Sequence, residues 1–221
     1  MHISSVSPSV DAWAVVIPVK RLALAKTRLR RFAGSLREEL ALAFAGDTIA
    51  AAAGCPNVRE ILVVTDDEVA AALARKLGCT VEADGPDAGL NAALARGVTA
   101  AGRRWSGLGL AAVSSDLPAL RSAELRVVLE AAARVTTAFL PDAEGIGTTV
   151  LTALEVGAFV PRFGRRSRAE HRAAGVAELQ GGDVPSVRRD VDTEVQLYDA
   201  RRLGVGSRTA EVLSRIDSLD R

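Results

Sequence analysis

Short apolar runs alternate with longer amphipathic segments over the first 140 residues of the chain. Runs of consecutive apolar residues rich in Val, Ile and Leu are typical of strands buried on both faces of a parallel sheet. They predict strands at 12–19, 60–65, 79–83, 108–113 and 135–140. The segments between them predict helices at about 36–53, 67–77 and 91–102 and after residue 122. This alternation with short loops predicts an α/β fold with a doubly wound, mostly parallel, Rossmann-like sheet.

Capping residues mark where several of these helices are expected to begin. Ser35 with Glu38 three residues later matches the capping-box pattern, while Asp66 with Asp67, and Ser122, precede other helical segments. An N-cap side chain accepts a hydrogen bond from a first-turn backbone N–H that otherwise lacks a partner. We therefore expect these side chains to cap the helices that follow them.

The alternation changes after residue 140. Residues 148–154 predict a strand, which we expect to be antiparallel because no long helix separates it from the preceding strand. Ser167 begins a predicted helix, and Thr193 with Glu194 is expected to cap a last amphipathic helix. Between them, residues 187–193 alternate apolar and polar positions, which predicts an extended segment.

Length and composition favour a single globular domain over 1–221, with two small domains as the alternative. The formal net charge of +1 argues against a nucleic-acid partner or an acidic membrane surface. Residues 1–11 are expected to be flexible and lack a signal-peptide pattern, and no apolar run is long enough to span a membrane. Cys55 and Cys79 are too far apart for a CxxC motif and are expected to be free thiols, so we expect a cytoplasmic protein.

Polar loops follow the predicted strands that end at residues 19, 65, 83 and 113. In doubly wound sheets the ligand binds outside the carboxyl ends of the strands. These loops should therefore meet at one edge of the sheet and form one site.

Three aspartates stand out as candidate metal ligands. Asp116 directly follows a predicted strand, and Asp190 and Asp192 are two residues apart, which places them on one face of an extended segment. Neighbouring carboxylates repel each other unless a cation or a proton relieves them, and magnesium prefers oxygen ligands. The alternative is that Asp116 caps a turn and the other two aspartates are exposed.

The loop at 20–28 carries several cations, as a triphosphate site requires, although an ordinary solvated loop is the alternative.

The chain has no GxxxxGK[ST] motif and no GxGxxG motif after its first strand, which argues against a P-loop NTPase and an NAD enzyme. Of the two histidines, His2 needs no role and His171 is expected at the surface. No GxSxG or Cys–His motif supports covalent acyl transfer.

Ordered motifs from about residue 15 to 204 resemble the guanylyltransferases of deazaflavin coenzyme F-420 biosynthesis. The motifs are IPVKRLALAKTRL, DTIAAA, VVTDD, DGPDAGLNAAL, SSDLPAL, GIGTTVL, PRFGRRSRAEH and RDVDT. The resemblance implies a sheet of the nucleotide-diphospho-sugar transferase type. One departure is Ser115 before Asp116, where the family pattern has glycine; this small-for-small change should not remove a metal ligand.

The resemblance also implies a site and a reaction. Asp116, Asp190 and Asp192 would hold magnesium, and Lys20, Lys26 and Arg28 would face the triphosphate. The nucleoside would lie near Asp84, Gly89 and Asn91, and the phosphorylated acid near Thr148, Gly164 and Ser167. The implied reaction moves GMP from GTP to a phosphorylated three-carbon acid and releases pyrophosphate.

Several alternatives stay open at the level of the sequence. Phosphoenolpyruvate is the expected acceptor because the Ala- and Arg-rich composition resembles actinobacterial members, but 2-phospho-L-lactate differs from it by only two hydrogens. A cytidylyl- or molybdopterin-type transferase on the same fold is a second alternative. A non-catalytic nucleotide-binding regulator is a third.

Overall fold

Seven strands form one sheet in the part of the chain that the computed structural model describes, residues 9–85, 89–180 and 182–219. The strands are β1 (Trp13–Pro18), β2 (Val58–Val64), β3 (Thr80–Glu82), β4 (Gly109–Val113), β5 (Thr137–Pro141), β6 (Thr148–Ala153) and β7 (Ala177–Glu178). Their order is β3-β2-β1-β4-β6-β5-β7. Only β6 is antiparallel to its neighbours, β4 and β5, which confirms the sequence-based expectation for residues 148–154.

Helices cover both faces of this sheet. They are α1 (Arg30–Ala33), α2 (Arg37–Ala53), α3 (Glu68–Lys76), α4 (Leu90–Arg104), α5 (Ser122–Ala132), α6 (Ser167–Ala173), α7 (Pro185–Arg188), α8 (Glu194–Leu203) and α9 (Ser207–Leu219). Alternate residues of β1 face opposite sides: Val15 packs in the cluster that includes α2 and α5, and Val16 in the cluster that includes α4. The strand is buried on both faces, as its continuous apolar run predicted. The α/β, doubly wound fold is therefore confirmed.

A third apolar cluster joins α2 to the carboxyl-terminal helices. Phe44, Leu197 and Ile216 are buried there. The sequence pattern predicted one last helix, but the structure has two, α8 and α9, separated by residues 204–206, which include two glycines. Buried Asp47 accepts hydrogen bonds from the backbone N–H groups of Arg208 and Thr209, which fixes the start of α9 against α2.

Some local predictions were wrong. Ser35 lies in a 3-10 turn before α2, whose N-cap is Leu36 with no capping side chain. Ser122 does not cap α5, because its hydroxyl donates instead to the Ala51 carbonyl at 2.7 Å. Residues 187–193 are not extended throughout, since α7 ends at Arg188 and only a short segment separates it from α8. For Ser122, the carbonyl of a distant helix replaced the expected local partner.

Other local predictions are confirmed. Asp67 caps α3 by accepting from the backbone N–H groups of Val69 and Ala70, and Thr193 caps α8 in a capping box with Gln196. Cys55 and Cys79 are buried free thiols. Within the described residues, no helix is long and apolar enough to cross a membrane. Residues 1–8, which include His2 and most of the segment expected to be flexible, lie outside the described chain.

Candidate active site

A cleft of about 640 Å³ opens at the carboxyl edge of the sheet, next to the ends of β1 and β4. The strand order changes direction between these two strands, which is where doubly wound sheets bind their ligands. Nine of the predicted site residues line the cleft: Lys20, Lys26, Arg28, Asp116, Thr148, Gly164, Ser167, Asp190 and Asp192. The structure therefore brings together side chains that are far apart in the sequence.

The three predicted metal ligands form a compact acidic cluster. One ligand oxygen each of Asp116, Asp190 and Asp192 lies within 4.8 Å of the other two. The backbone N–H of Val191 donates to the Asp116 carbonyl at 3.1 Å, and the Val191 side chain is fully buried. This contact holds the segment that carries the two later aspartates against the end of β4, although the segment is not the regular strand that was expected.

Lys26 occupies the space between two of these carboxylates. Its Nζ donates to Asp116 Oδ2 at 2.5 Å and to Asp192 Oδ1 at 2.7 Å. Burial acts to lower the pKa of Lys26, but the two carboxylates outweigh it, and the net shift of the pKa is upward. Lys26 also has a positive φ of 51°, which is uncommon for a residue other than glycine.

Asp190 is half-buried, and one of its carboxylate oxygens is shielded from solvent. Burial, followed by the negative charges of Asp116, Asp142, Asp192 and Glu144, together raise its pKa to about 8. Its Oδ1 is buried and has no hydrogen-bond partner among the described residues. A buried carboxylate oxygen without a partner is costly unless a proton or a cation is near it.

The cleft also holds a second acidic group, which was not predicted from the sequence. Asp142 and Glu144 lie close enough to Asp190 to form a cluster with it. Asp142 accepts from the N–H groups of Ile146 and Gly147 at 2.8 and 2.7 Å, and Glu144 pairs with Arg189 at 2.5 Å. Because Asp142 follows β5, the rule that found Asp116 at the end of β4 would also have found it.

Arg37 holds the basic loop, residues 20–28, in place, a role that was not predicted from the sequence. Arg37 is buried, and its guanidinium donates to the carbonyls of Leu22 and Ala23 at 3.0 Å each and to that of Ala25. Asp67 accepts from the Leu22 N–H at 2.9 Å. These bonds fix the backbone that presents Lys20, Lys26 and Arg28 to the cleft.

Thr148 and Ser167 are buried residues that line the cleft, and each carries a hydroxyl group. Of the nearby arginines, Arg165 lines the same cleft, whereas Arg166 lines a separate surface groove. Arg168 is engaged elsewhere, because it pairs with Glu178 at 2.7 Å and donates to the Gly145 carbonyl at 2.9 Å. Arg165 is therefore the one of these three arginines that lines the cleft.

His171 is not a surface residue, and that prediction was wrong. It is fully buried in α6, between the rings of Phe139 and Phe163 at centroid distances of 5.3 and 5.6 Å. Its Nδ1 lies 3.0 Å from Thr148 Oγ1, and its Nε2 accepts from the Arg162 N–H at 3.1 Å. Burial and the charge of Arg162 lower its pKa to about 4, against a small opposing effect of the Ser167 carbonyl.

The three residues expected to face the nucleoside have different surroundings. Asp84 and Gly89 line a pocket of about 210 Å³ that adjoins the cleft and shares Lys20 and Leu90 with it. Asn91 lines neither cavity, because its amide donates to the Phe163 carbonyl at 3.0 Å and accepts from the Phe163 N–H at 2.7 Å. Residues 86–88 of the predicted nucleoside loop lie outside the described chain.

We expect burial of neutral His171 to make the protein less stable in mild acid. Its pKa of about 4 is below the ordinary value of 6.5, so the unfolded chain takes up the proton first as the pH falls. This contribution to the free energy of unfolding is present above about pH 6.5 and is lost down to about pH 4, with roughly 2 kcal/mol lost by pH 5. Urea unfolding at pH 7, 6 and 5 measures it.

The variant His171→Asn is the control for this pH dependence, because asparagine does not titrate in this range. Its free energy of unfolding should fall by about 2 kcal/mol less than that of the parent between pH 7 and pH 5, since all the other titratable groups are unchanged. The same pH slope in both proteins would contradict the assignment of this loss to His171.

Comparison with known proteins places the chain in a family. Residues 13–216 match the family model described as "Guanylyl transferase CofC like". Phosphoenolpyruvate guanylyltransferase of Streptomyces coelicolor is 52% identical over 205 residues, covering 92% of this chain and 97% of that protein. The protein of the same name from Thermomonospora curvata is 49% identical over 215 residues, covering 96% and 94%.

Solved structures agree on the fold. A protein of the nucleotide-diphospho-sugar transferase type from Desulfovibrio desulfuricans G20 superposes with a TM-score of 0.71 at 18% identity, over 94% of this chain and 96% of that one. A nucleotidyl transferase from Methanothermobacter thermautotroptrophicus gives a TM-score of 0.59 at 20% identity, over 87% and 98%. With the family match over almost the whole chain, these findings confirm the resemblance seen in the motifs: the chain belongs to the CofC-like guanylyl transferase family.

Proposed function

We propose that this chain transfers GMP from GTP to phosphoenolpyruvate, with release of pyrophosphate, as a step of coenzyme F-420 biosynthesis. Curated relatives at about half identity over nearly their full length bear the name of this activity. The observation that carries the proposal is that one cleft holds an acidic cluster, a basic loop and the hydroxyls of Thr148 and Ser167. Joining two phosphorylated anions requires these features, since the catalyst must position both and offset their charge.

We propose magnesium as the cofactor, with Asp116, Asp190 and Asp192 as its ligands. Carboxylate oxygens are the ligands magnesium prefers, and Asp190 supplies one in its Oδ1, which has no hydrogen-bond partner among the described residues. The ammonium of Lys26 between two of the carboxylates also supports a site for positive charge. When bound, magnesium would offset negative charge on the phosphates near the reacting phosphorus.

The proposed reaction forms one bond and breaks one. A phosphate oxygen of the acceptor attacks the α-phosphorus of GTP, and the bond from that phosphorus to the oxygen bridging to the β-phosphate breaks. The acceptor phosphate is ionised at neutral pH, so no side chain has to remove a proton. Lys20, Lys26 and Arg28 would offset charge on the departing pyrophosphate, and such contacts contribute about 10²–10³ in rate.

The acid would bind at the Thr148 and Ser167 side of the cleft. A phosphorylated three-carbon acid has a phosphate and a carboxylate, and both groups accept hydrogen bonds from hydroxyl and guanidinium donors. The two buried hydroxyls and Arg165 are donors of this kind in the described cleft. The names of the relatives support phosphoenolpyruvate rather than 2-phospho-L-lactate as the acceptor.

The nucleoside would occupy the smaller pocket beside the cleft. Asp84 and Gly89 line it, and the backbone N–H of Asp84 donates to Asp66 Oδ1 at 2.8 Å, which shapes its wall. Asn91 would contribute through the backbone of Phe163, since both ends of its amide are bonded there. Direct contact of Asp84, Gly89 or Asn91 with guanosine stays a prediction.

Pyrophosphate release tests the proposal. GTP, ATP, CTP and UTP are each assayed with phosphoenolpyruvate and with 2-phospho-L-lactate, in MgCl₂ and in excess chelator. We expect GTP to exceed the other triphosphates at least about tenfold in kcat/KM with phosphoenolpyruvate, and chelation to abolish turnover. A site that reads guanine by hydrogen bonds leaves its own polar groups unpaired when another base binds, which is the reason for the discrimination.

Three results would each contradict one part of this proposal. Equal use of ATP and GTP would reject the guanine assignment. Preference for 2-phospho-L-lactate at equal concentrations would reject the acceptor, and full turnover in chelator would reject the metal. A half-buried carboxylate that does not line the cleft supplies the control variant, Asp217→Asn on α9, which should retain the activity of the parent.

A further inference from the structure

A hydrogen-bonded chain runs from the backbone of Arg162 through the His171 ring to the Thr148 hydroxyl. The Arg162 N–H donates to Nε2 at 3.1 Å, and Nδ1 lies 3.0 Å from Thr148 Oγ1. His171 is completely buried, and Thr148 is 7% exposed at the wall of the cleft. A buried histidine thus contacts the hydroxyl of a threonine that lines the proposed acid pocket.

The direction of these hydrogen bonds follows from the chemistry of their partners. A backbone N–H can only donate, so the Nε2 that receives it carries no proton. A neutral imidazole then has its proton on Nδ1, and this N–H donates to Thr148 Oγ1. The imidazolium form would place a second donor against the Arg162 N–H, which the geometry opposes.

We infer that His171 is a positioning residue that orients the Thr148 hydroxyl proton into the cleft, toward the acidic substrate. Thr148 Oγ1 accepts from His171 and has no other hydrogen-bond partner among the described residues. Its own proton is therefore available for donation to a phosphate or carboxylate oxygen. The inference rests on the proposed function, because it requires an anionic ligand beside Thr148.

Two further contacts keep this arrangement rigid. The rings of Phe139 and Phe163 pack against the imidazole and fix the plane of the ring. Asn91 holds the backbone of Phe163 through both ends of its amide, next to the Arg162 N–H that bonds to Nε2. The lowered pKa of His171 keeps the ring neutral through the range in which the enzyme would be assayed.

Two substitutions of His171 distinguish the hydrogen-bonding roles of its two ring nitrogens. An asparagine amide lies near the position of Nδ1, so His171→Asn retains a donor to Thr148 and loses the partner of the Arg162 N–H. A glutamine amide reaches the position of Nε2, so His171→Gln retains the partner of Arg162 and loses the donor to Thr148. Both variants remove the same ring from the same buried site, and their unfolding midpoints report any shared structural cost.

We expect His171→Gln to raise the KM for phosphoenolpyruvate about tenfold or more, with less than about threefold change in the KM for GTP and in kcat. A hydrogen bond to a charged group contributes an effect of this size. His171→Asn should stay within about threefold of the parent for all three constants. Equal KM increases for phosphoenolpyruvate in both variants would overturn the inference, because loss of packing alone would explain them.

A double-mutant cycle tests whether His171 acts through Thr148. In the background of Thr148→Val, His171→Gln should have little further effect on the KM for phosphoenolpyruvate, since the hydroxyl that it orients is absent. The matched control is Thr149→Val, which removes a neighbouring buried hydroxyl that has no hydrogen-bond partner among the described residues and should leave all constants unchanged. Additive effects of the Thr148 and His171 changes would overturn the inference.

The protonation of the ring can be measured without turnover. The chain has two histidines, so ¹⁵N-histidine labelling gives two sets of ring resonances, and the parent and His171→Asn spectra assign them. At neutral pH, Nδ1 of His171 should carry the proton and Nε2 should not; the opposite tautomer would overturn the inference even if guanylyl transfer is normal. If the parent does not transfer GMP to phosphoenolpyruvate, the substrate-orienting role fails together with the proposed function, whatever the tautomer.

Discussion

Replacing Asp116, Asp190 or Asp192 by asparagine should lower kcat for guanylyl transfer at least about a hundredfold while the protein stays folded. Their ligand oxygens lie within 4.8 Å of one another, and an amide cannot supply the charge that draws a divalent cation into such a group. Loss of one electrostatic contact to the reacting groups typically costs 10²–10³ in rate. Steady-state kinetics over a range of MgCl₂ concentrations measures both the loss and the metal dependence.

Stability measurements separate a chemical effect from unfolding in these variants. Asp190→Asn should unfold at or above the midpoint of the parent without added metal, because it removes a buried carboxyl that Asp116 and Asp142 repel. MgCl₂ should raise the unfolding midpoint of the parent and raise that of the three variants less. Near-parent activity in Asp190→Asn and Asp192→Asn would overturn the metal assignment.

Replacing Lys26 by methionine should also lower kcat about a hundredfold, and it should make stability depend more strongly on magnesium. The parent places Nζ at 2.5 Å from Asp116 and 2.7 Å from Asp192, so the variant leaves two close carboxylates without that cation. We expect a loss of about 1–3 kcal/mol in chelator, or roughly 3–10 °C in Tm. The expected loss is no larger because the Asp192 side chain is half-exposed, and solvent weakens its attraction to Lys26.

Addition of MgCl₂ should recover most of that lost stability, because the ion then neutralises the same carboxylates. Lys76→Met is the matched control, since it removes an exposed lysine at the end of α3, away from the cleft. Its Tm should respond to MgCl₂ as the parent does. The same magnesium response in Lys26→Met and Lys76→Met would show that Lys26 does not offset charge in the acidic cluster.

Local patterns in the sequence were sufficient for the fold class. The continuous apolar runs predicted β1, β2, β4 and β5 because a strand buried on both faces must be apolar at consecutive positions. The direction of β6 followed from the short connection before it. Asp116 could be placed near the ligand edge in the same way, since it directly follows β4.

Contacts between distant segments could not be predicted from such patterns. Lys26 is 90 positions from Asp116 and 166 from Asp192, and no local periodicity encodes which cation will reach which carboxylate. The polarity of His171 favoured a surface position, but partners on β6 and on the segment before α6 satisfy both of its nitrogens in the core. Likewise, the Ser122 hydroxyl donates to the Ala51 carbonyl on α2 and does not cap its own helix, α5.

The sequence by itself determined most of the strands and helices, their alternation and the edge of the sheet at which the chemistry lies. It could do so because burial on one or two faces requires a periodic pattern of apolar residues. The tertiary structure alone decided which polar groups meet there. Most buried polar groups find a hydrogen-bond partner, and the three-dimensional packing of the chain decides which partner each one finds. Lys26 among the aspartates and His171 behind Thr148 are the two cases in which this choice bears most directly on function.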